Sequence, residues 1–435
     1  MHMRRCLLIA LTLATARSLP AQSAARMQSE IDRRAKELES KVVAWRRDIH
    51  QNPELGNREF RTSKLVAEHL QKLGLEVKTG VAHTGVVGIL RGGRPGPVVA
   101  LRADMDALPV TEEVDLPFKS TAKTQYNGQE VGVMHACGHD NHVASLMGVA
   151  EMLTAMKAEI PGTVKFIFQP AEEGPPLGEK GGASMMLEEG AFTNPKVDAV
   201  FGLHVFPMEL GHVEYKTGGM MASSDNFYIT VKGRQTHGAL PWNGVDPIVA
   251  ASQIVLGIQT ITSRQTDLTL TPAVITVGMI RGGIRTNIVP DSVEMSGTIR
   301  TFDETVRESL QARLTKTAEM IALASGATAS VRIVKGTPVT YNDPPLTDRM
   351  IPTLERVLGK SNVTVGRPTT TSEDFSQFQK AAPGLFFFIG VTPKERMSQA
   401  APNHSPKFFA DEGVLVPGMR ALANLAVDFL SAPRP

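Results

Sequence analysis

Apolar residues fall at helical spacing in two N-terminal stretches. Across 27–52 they are Ile31, Leu38, Val42, Trp45 and Ile49, and Pro53 ends the run. Across 60–73 they are Leu65, Val66, Leu70 and Leu73, with Gly74 as the stop. His69 lies on the same side and reads as a packed histidine. Short apolar runs follow at 86–90, 98–101, 164–168 and 199–203, and another at 385–389. Runs of that length suit buried strands. A helical stretch, 141–156, lies between two of them, and 413–430 closes the chain as a helix. Strands alternating with helices predict an α/β fold with a mostly parallel sheet and flanking helices.

Between 223 and 335 the pattern changes. Residues 227–231 alternate as a half-buried strand, 246–261 are helical, and 273–277 and 293–299 read as strands. A second helix spans 301–324, with Thr301 and Glu304 at capping-box spacing and Gly326 to end it. A last strand covers 330–334. The order β-α-β-β-α-β is the ferredoxin-like motif. An inserted α+β domain at 223–335 therefore divides the α/β domain into 27–222 and 336–435.

Composition agrees with a soluble two-domain protein: 435 residues, 42% hydrophobic and 21% charged. Residues 1–22 read as an export signal. Arg4 and Arg5 precede an apolar stretch at 6–16 that is too short to span a bilayer, and a cleavage site falls near 19–22. The expected location is periplasmic or secreted; the alternative is an anchor that stays. No later stretch reads as a membrane span. Removing the signal's three arginines takes the formal net charge from +2 to −1. That argues against a nucleic-acid partner, and no membrane partner is expected after signal removal. Cys6 leaves with the signal, so Cys137 becomes the only thiol and no intramolecular disulfide can form. A lone thiol in an oxidising compartment is a liability unless it is buried or bound to metal.

Cys137 lies in Met134-His135-Ala136-Cys137-Gly138-His139-Asp140, and a carboxylate pair, Glu172-Glu173, follows. Thiolate, imidazole and carboxylate are the side chains that bind zinc-like ions. Other candidates sit near strand ends, where α/β folds place their chemistry: Asp104 and Asp106, His204, and more distantly His404. Singly, each has a plain reading. His204 could be structural, the aspartates could be loop acids, and the glutamates could complement a helix dipole. Jointly with Cys137 and His139 they point to a metal site. The remaining histidines, His50, His83, His135, His142 and His212, read as structural or surface residues.

The chain resembles the aminoacylase-type metallopeptidases, in the branch of hippurate hydrolase, bacterial N-acyl-amino-acid amidohydrolases and plant auxin-conjugate hydrolases. Eight segments carry the resemblance in family order: 103–109, 134–140, 169–174, 202–205, 236–239, 287–290, 372–375 and 403–405. It implies a zinc-exopeptidase-like catalytic domain with an inserted lid and dimerisation domain. It implies two divalent ions, zinc or manganese, with cobalt and nickel as other candidates. Cys137, His139, Glu173, His204 and His404 are the implied ligands, and Glu172 the implied general base for metal-activated water. Wider relatives carry a histidine where this chain has Asp104 and a bridging aspartate where it has Cys137. Asp104 is therefore doubtful as a ligand, and Asp106 is expected to orient a ligand. His237 is the implied oxyanion donor, reaching the site by domain closure or from the partner of a homodimer. Asn287 is assigned to the substrate carboxylate; Arg285 reads equally as a solvated charge.

The implied reaction is hydrolysis of N-acyl-L-amino acids or related amino-acid conjugates. A dipeptidase or carboxypeptidase would use the same machinery. Two readings of other classes remain: a hydrolase with Cys137 as nucleophile and His139 or His135 as base, and a non-catalytic exported binding protein. A spare base such as Glu172 argues against the last.

Overall fold

The computed structural model describes residues 18–432, with side chains from residue 26. The first 17 residues of the expected export signal lie outside that range. The described chain forms two compact units: one comprises residues up to Glu214, Asp348–Thr364 and those from Phe387 on, the other Tyr215–Thr347 and Val365–Phe386.

The first unit begins with α1 (Ser18–Gln51), α2 (Phe60–Lys72), β1 (Glu76–Val81), β2 (Gly85–Arg91) and β3 (Arg94–Asp104). A small hairpin follows, β4 (Lys123–Tyr126) and β5 (Gln129–Gly132). Then come α3 (His139–Ala155), β6 (Pro161–Gln169), α4 (Gly182–Glu188), β7 (Ala199–Glu209) and β8 (Val213–Tyr215). The second unit contributes β9 (Gly218–Met221), β10 (Asp225–Lys232), β11 (Thr236–His237), α5 (Pro247–Arg264), β12 (Ala273–Gly282) and β13 (Ile288–Val289). It continues with β14 (Ser292–Thr301), α6 (Glu304–Ala324), β15 (Thr328–Lys335) and β16 (Thr340–Asn342). The chain ends through α7 (Pro344–Leu358), β17 (Val363–Val365), α8 (Phe375–Ala381), β18 (Gly384–Thr392) and α9 (Leu415–Ser431).

The eight-stranded sheet runs β1-β2-β6-β3-β7-β18-β8-β17. Its centre is parallel: β3 pairs that way with both β6 and β7. The largely parallel sheet expected from the strand runs holds at this centre and not at its flanks. There β2 pairs antiparallel with both β1 and β6, and β18 antiparallel with β8. For β1 and β2 the reason is chain length. Only Ala82, His83 and Thr84 join β1 to β2, too few for a parallel crossover. Ala82 and His83 both take positive φ to close that turn.

Helix α3 carries almost no exposed residue and packs between α1 and α9. Its first turn is tied to α1. Arg46 Nε donates to Asp140 Oδ2 at 2.7 Å, and His50 Nδ1 meets the same oxygen at 2.9 Å. Contrary to expectation, a later stretch does pass a membrane span's test of length and composition. It is Glu412–Ser431, and 72% of its most apolar window is buried inside the protein.

In the second unit the four-stranded sheet runs β12-β14-β10-β15, all antiparallel, with α5 and α6 packed on one face. Phe227, Ile229 and Val231 of β10 point to the core and alternate with more exposed neighbours. This is the β-α-β-β-α-β order read from the sequence. The unit reaches beyond 223–335, because β9 pairs with β16 and the chain re-enters at Val365. Asp303, not Thr301, caps α6: its side chain accepts from Val306 N, while Thr301 closes β14.

Asp225 anchors this unit. Its buried carboxylate accepts from Arg307 Nε and Nη2, Gln311 Nε2 and Gly336 N. Removing one partner of such a pair strands the other charge, typically at about 3–5 kcal/mol. Asp225→Ala should therefore lower the second unit's stability by about 3 kcal/mol in denaturant unfolding; a loss below about 1 kcal/mol would mean that Arg307 finds another partner.

Candidate metal centre and active site

Parallel pairing of β6, β3 and β7 sets their C-terminal ends side by side. Asp104 ends β3, and Asp106 follows two residues on. Glu172 and Glu173 follow the end of β6, and His204 lies in β7. Helix α3 starts at His139, directly after Cys137-Gly138. Cys137, His139 and His204 offer ligand atoms all within 4.8 Å of one another. So do Cys137, Glu173 and His404, and also His139, Glu172 and Glu173. Cys137 is common to the first two groups. Gly138 makes this spacing feasible: its φ is +91°, and a Cβ there would sit 2.3 Å from Val205 Cγ2.

The imidazoles are oriented as ligands. His139 Nδ1 lies 2.8 Å from the Asp106 carbonyl, which can only accept, so Nδ1 donates and Nε2 is the nitrogen that a metal would take once its proton leaves. That Nε2 is buried with no hydrogen-bond partner. His204 Nδ1 similarly donates to Val205 O at 2.7 Å, leaving Nε2 3.3 Å from Cys137 Sγ. His404 Nε2 lies 3.0 Å from Glu173 Oε1 on the more open side. The His404 backbone takes φ +69° and its amide donates to Ala136 O. Asn403 Nδ2 donates to Cys137 O and Val205 O, binding this loop to the thiol's own.

Behind these groups, Asp106 Oδ2 accepts from Glu173 N at 2.9 Å, and its Oδ1 lies 3.4 Å from His139 Nδ1. Asp106 thus orients two of the expected ligands. Asp104 sits deeper. Arg102 Nη1 donates to it, and His142 Nδ1 bonds its Oδ1 while His142 Nε2 accepts from Val205 N. Asp104 acts through His142 on the backbone beside His204.

The charge balance decides what the site can hold. Burial alone disfavours an ionised Cys137, and Glu173, Glu172 and Asp104 add to it, so the thiol is pushed well up. Burial disfavours a charged His139 too, yet Asp104, Asp106 and Glu173 outweigh it and raise it to about 10. More carboxylates than cations therefore surround the thiol. A divalent cation meets that excess negative charge better, and would make the thiolate accessible. Soft sulfur, imidazole and carboxylate suit zinc-like ions. The donor set fits divalent ions of that kind.

Residues 100–428 match the model of "Peptidase family M20/M25/M40". The chain belongs to this family. A thermostable carboxypeptidase 2 of Saccharolobus solfataricus is 45% identical over 399 residues, covering 91% of this chain and 96% of its own. An N-acetyl-L-cysteine deacetylase of Bacillus subtilis is 37% identical, covering 87% and 86%. The crystal structure of the Bacillus subtilis YxeP protein, titled a dinuclear metal binding peptidase from the M20 family, superposes with TM-score 0.75 at 34% identity. It covers 91% of this chain and 99% of that one.

In this M20 chain, His237 and Asn287 lie together in the second unit. His237 pairs with Ile288, and Gly238 N donates to Asn287 O. His237 Nδ1 accepts from Ala239 N, so a neutral ring carries its proton on the exposed Nε2, ready to donate. His142 was not legible as a site residue. Its signal was its place three residues after His139, one turn along the same helix face. Glu59 was not legible either. It is fully buried; Oε1 accepts from Ala171 N at 2.9 Å and Oε2 from Thr84 Oγ1. Ala171 takes φ +50° immediately before Glu172, and Glu59 holds that turn.

Burial, and then the Asp106 charge, push Glu59 up to about 8 from the usual 4.5. A raised folded pKa favours folding fully below the unfolded value and loses that contribution as pH rises through about 8. Glu59→Gln lacks this dependence. Between pH 5 and 8 its stability relative to wild type should rise by roughly 2–4 kcal/mol. Urea unfolding of both metal-loaded proteins at the two pH values checks this; parallel curves would contradict it.

Proposed function

We propose that this protein hydrolyses the amide bond of N-acyl-L-amino acids or related amino-acid conjugates, using two divalent ions held by Cys137, His139, Glu173, His204 and His404. The observation that carries the reading is Cys137 shared between two ligand groups, with Glu172 at their margin. Zinc and manganese are the expected ions. Bound there, they supply polarisation of the scissile carbonyl and a lowered pKa for water.

The protein's own residues do the rest. Glu172, in the turn held by Glu59 and 8% exposed, takes the proton from the attacking water and delivers it to the leaving nitrogen. Asp106 keeps Glu173 and His139 in place during that transfer. His237 Nε2 supplies the hydrogen bond to the developing oxyanion, and Asn287 binds the substrate carboxylate. A carboxypeptidase or dipeptidase would use the same groups, and the 45% identity to a thermostable carboxypeptidase supports that second reading. The thiol-nucleophile reading loses support. Burial and the carboxylates keep Cys137 protonated unless a cation is present, and only a thiolate attacks.

Glu172→Gln should lower kcat by about 10²–10⁴-fold with two metal ions still bound per chain. Chelation should abolish wild-type activity, and manganese or zinc should restore it. Kinetics paired with metal analysis tests both; wild-type turnover by Glu172→Gln, or activity that survives chelation but not thiol alkylation, would defeat the mechanism. We further propose an exported homodimer. Material from the exported fraction should begin after residue 22 and scatter light as a dimer, whereas an intact Met1 or a fully active monomer would refute these two assignments respectively.

A further inference from the structure

A cavity of about 540 Å³ opens beside Asp106 and Glu173, built wholly from the first unit. We propose that it is the subsite for the acyl half of the substrate and selects bulky, uncharged, apolar acyl groups over acetyl. The inference rests on the amidohydrolase reading above and adds to it which acyl groups are preferred.

Continuity comes first. Glu173 is an expected metal ligand and Asp106 its positioning partner, and both line the cavity. A group bound there is contiguous with the reacting carbonyl. The walls are mixed, and their apolar part includes Leu55, Phe60, Leu108 and Tyr126. Phe60 and Tyr126 are 63% and 39% exposed, so each ring has an open face. Large apolar side chains left open around a cavity mark a binding surface.

The walls are also preformed. Leu55 bridges Ala107, and Leu108 bridges Met134, three residues before Cys137. Tyr126 is held by the β4–β5 hairpin, whose turn residues Asn127 and Gly128 both take positive φ, as a tight two-residue turn requires.

Charge decides which half of the substrate enters. The cavity holds two cations, Arg58 and Lys123, and both are engaged: Arg58 with Glu179, Lys123 with Glu130. Glu54 is engaged as well, accepting from Arg61 N and Thr62 N at the start of α2. Away from the proposed ions, a carboxylate in the cavity would meet Glu54, Asp106 or Glu173 and find each side-chain cation already paired. That disfavours the amino-acid half, which ends in a carboxylate, and any acyl chain that carries one. Volume argues further. About 540 Å³ lies within the range that encloses whole small ligands, and an acetyl group would leave most of it to water.

The experiment compares N-acetyl, N-succinyl, N-benzoyl and N-decanoyl derivatives of one amino acid with the metal-loaded full-length protein. We expect kcat/KM for the benzoyl and decanoyl substrates to exceed that for acetyl by tenfold or more, with succinyl lowest. Phe60→Ala and Tyr126→Ala should each reduce the benzoyl-to-acetyl ratio roughly five- to tenfold, while Tyr126→Phe keeps it. The ratio is taken on a single preparation, so partial misfolding cancels. Acetyl or succinyl turnover equal to benzoyl, or a ratio unmoved by loss of the rings, would overturn the subsite. Failure to hydrolyse any of the four would instead overturn the amidohydrolase reading.

Discussion

Everything around Cys137 answers one constraint: too many carboxylates share too little water. Asp104, Asp106, Glu172 and Glu173 lie close to one another with little or no exposure. Like charges at such separations cannot all persist in a low-dielectric space without a counter-charge. Arg102 neutralises the deepest of them, Asp104. Proton capture by His139 is a partial remedy, hence its raised pKa. The remaining excess is what a pair of divalent ions would balance.

The fold makes this crowding tolerable by fixing each acid from behind. Strand ends alone would leave the carboxylates free to splay apart. Instead each has a dedicated anchor: His142 and Arg102 for Asp104, the Glu173 amide for Asp106, and the Glu59-bound turn for Glu172 and Glu173. The anchors are themselves buried, so their geometry is set by packing rather than by solvent. Arg46 and His50 extend the scheme to Asp140, fixing the helix start that carries His139. Positive φ at Ala171 and His404 fits the same logic. Both sit at or beside a reacting group, where surrounding bonds can hold a strained backbone.

The candidate residues that the structure brings together were legible in the sequence because their chemistry is rare along the chain. A cysteine, one of two in the chain, beside two histidines, and a paired glutamate after an apolar strand, stand out against any background. The supporting residues were not legible, because their roles depend on partners distant in sequence. Glu59 acts on Ala171, 112 positions away, and Asp104 on His142, 38 away. Element types followed apolar periodicity; pairing direction did not, since β2 reads as a buried strand whichever way it runs. The helix α7 went unread because it contains Pro352, which local rules take as a breaker. Thr301 matched a capping box by spacing, but β14 claims that residue and leaves Asp303 to cap. Tertiary context chose between two locally acceptable caps.

A thiolate in the proposed bridging place has a consequence that a carboxylate would not. A carboxylate at that position would stay ionised without metal and add one more charge to the crowd. The Cys137 thiol instead remains neutral until a cation arrives, because burial and its acidic neighbours hold it so. The apo site thus carries one negative charge fewer, and the proton leaves only as the ion binds. This makes folding without metal less costly and metal capture more pH-dependent than in a purely carboxylate-bridged site. It also bears on how a lone thiol withstands oxidants. Protonated when empty and ligated when filled, the sulfur is in neither state the free thiolate that oxidants attack. The same thiol that supplies a soft ligand therefore relieves the electrostatic crowding, while its burial and protonation limit the redox liability that it brings.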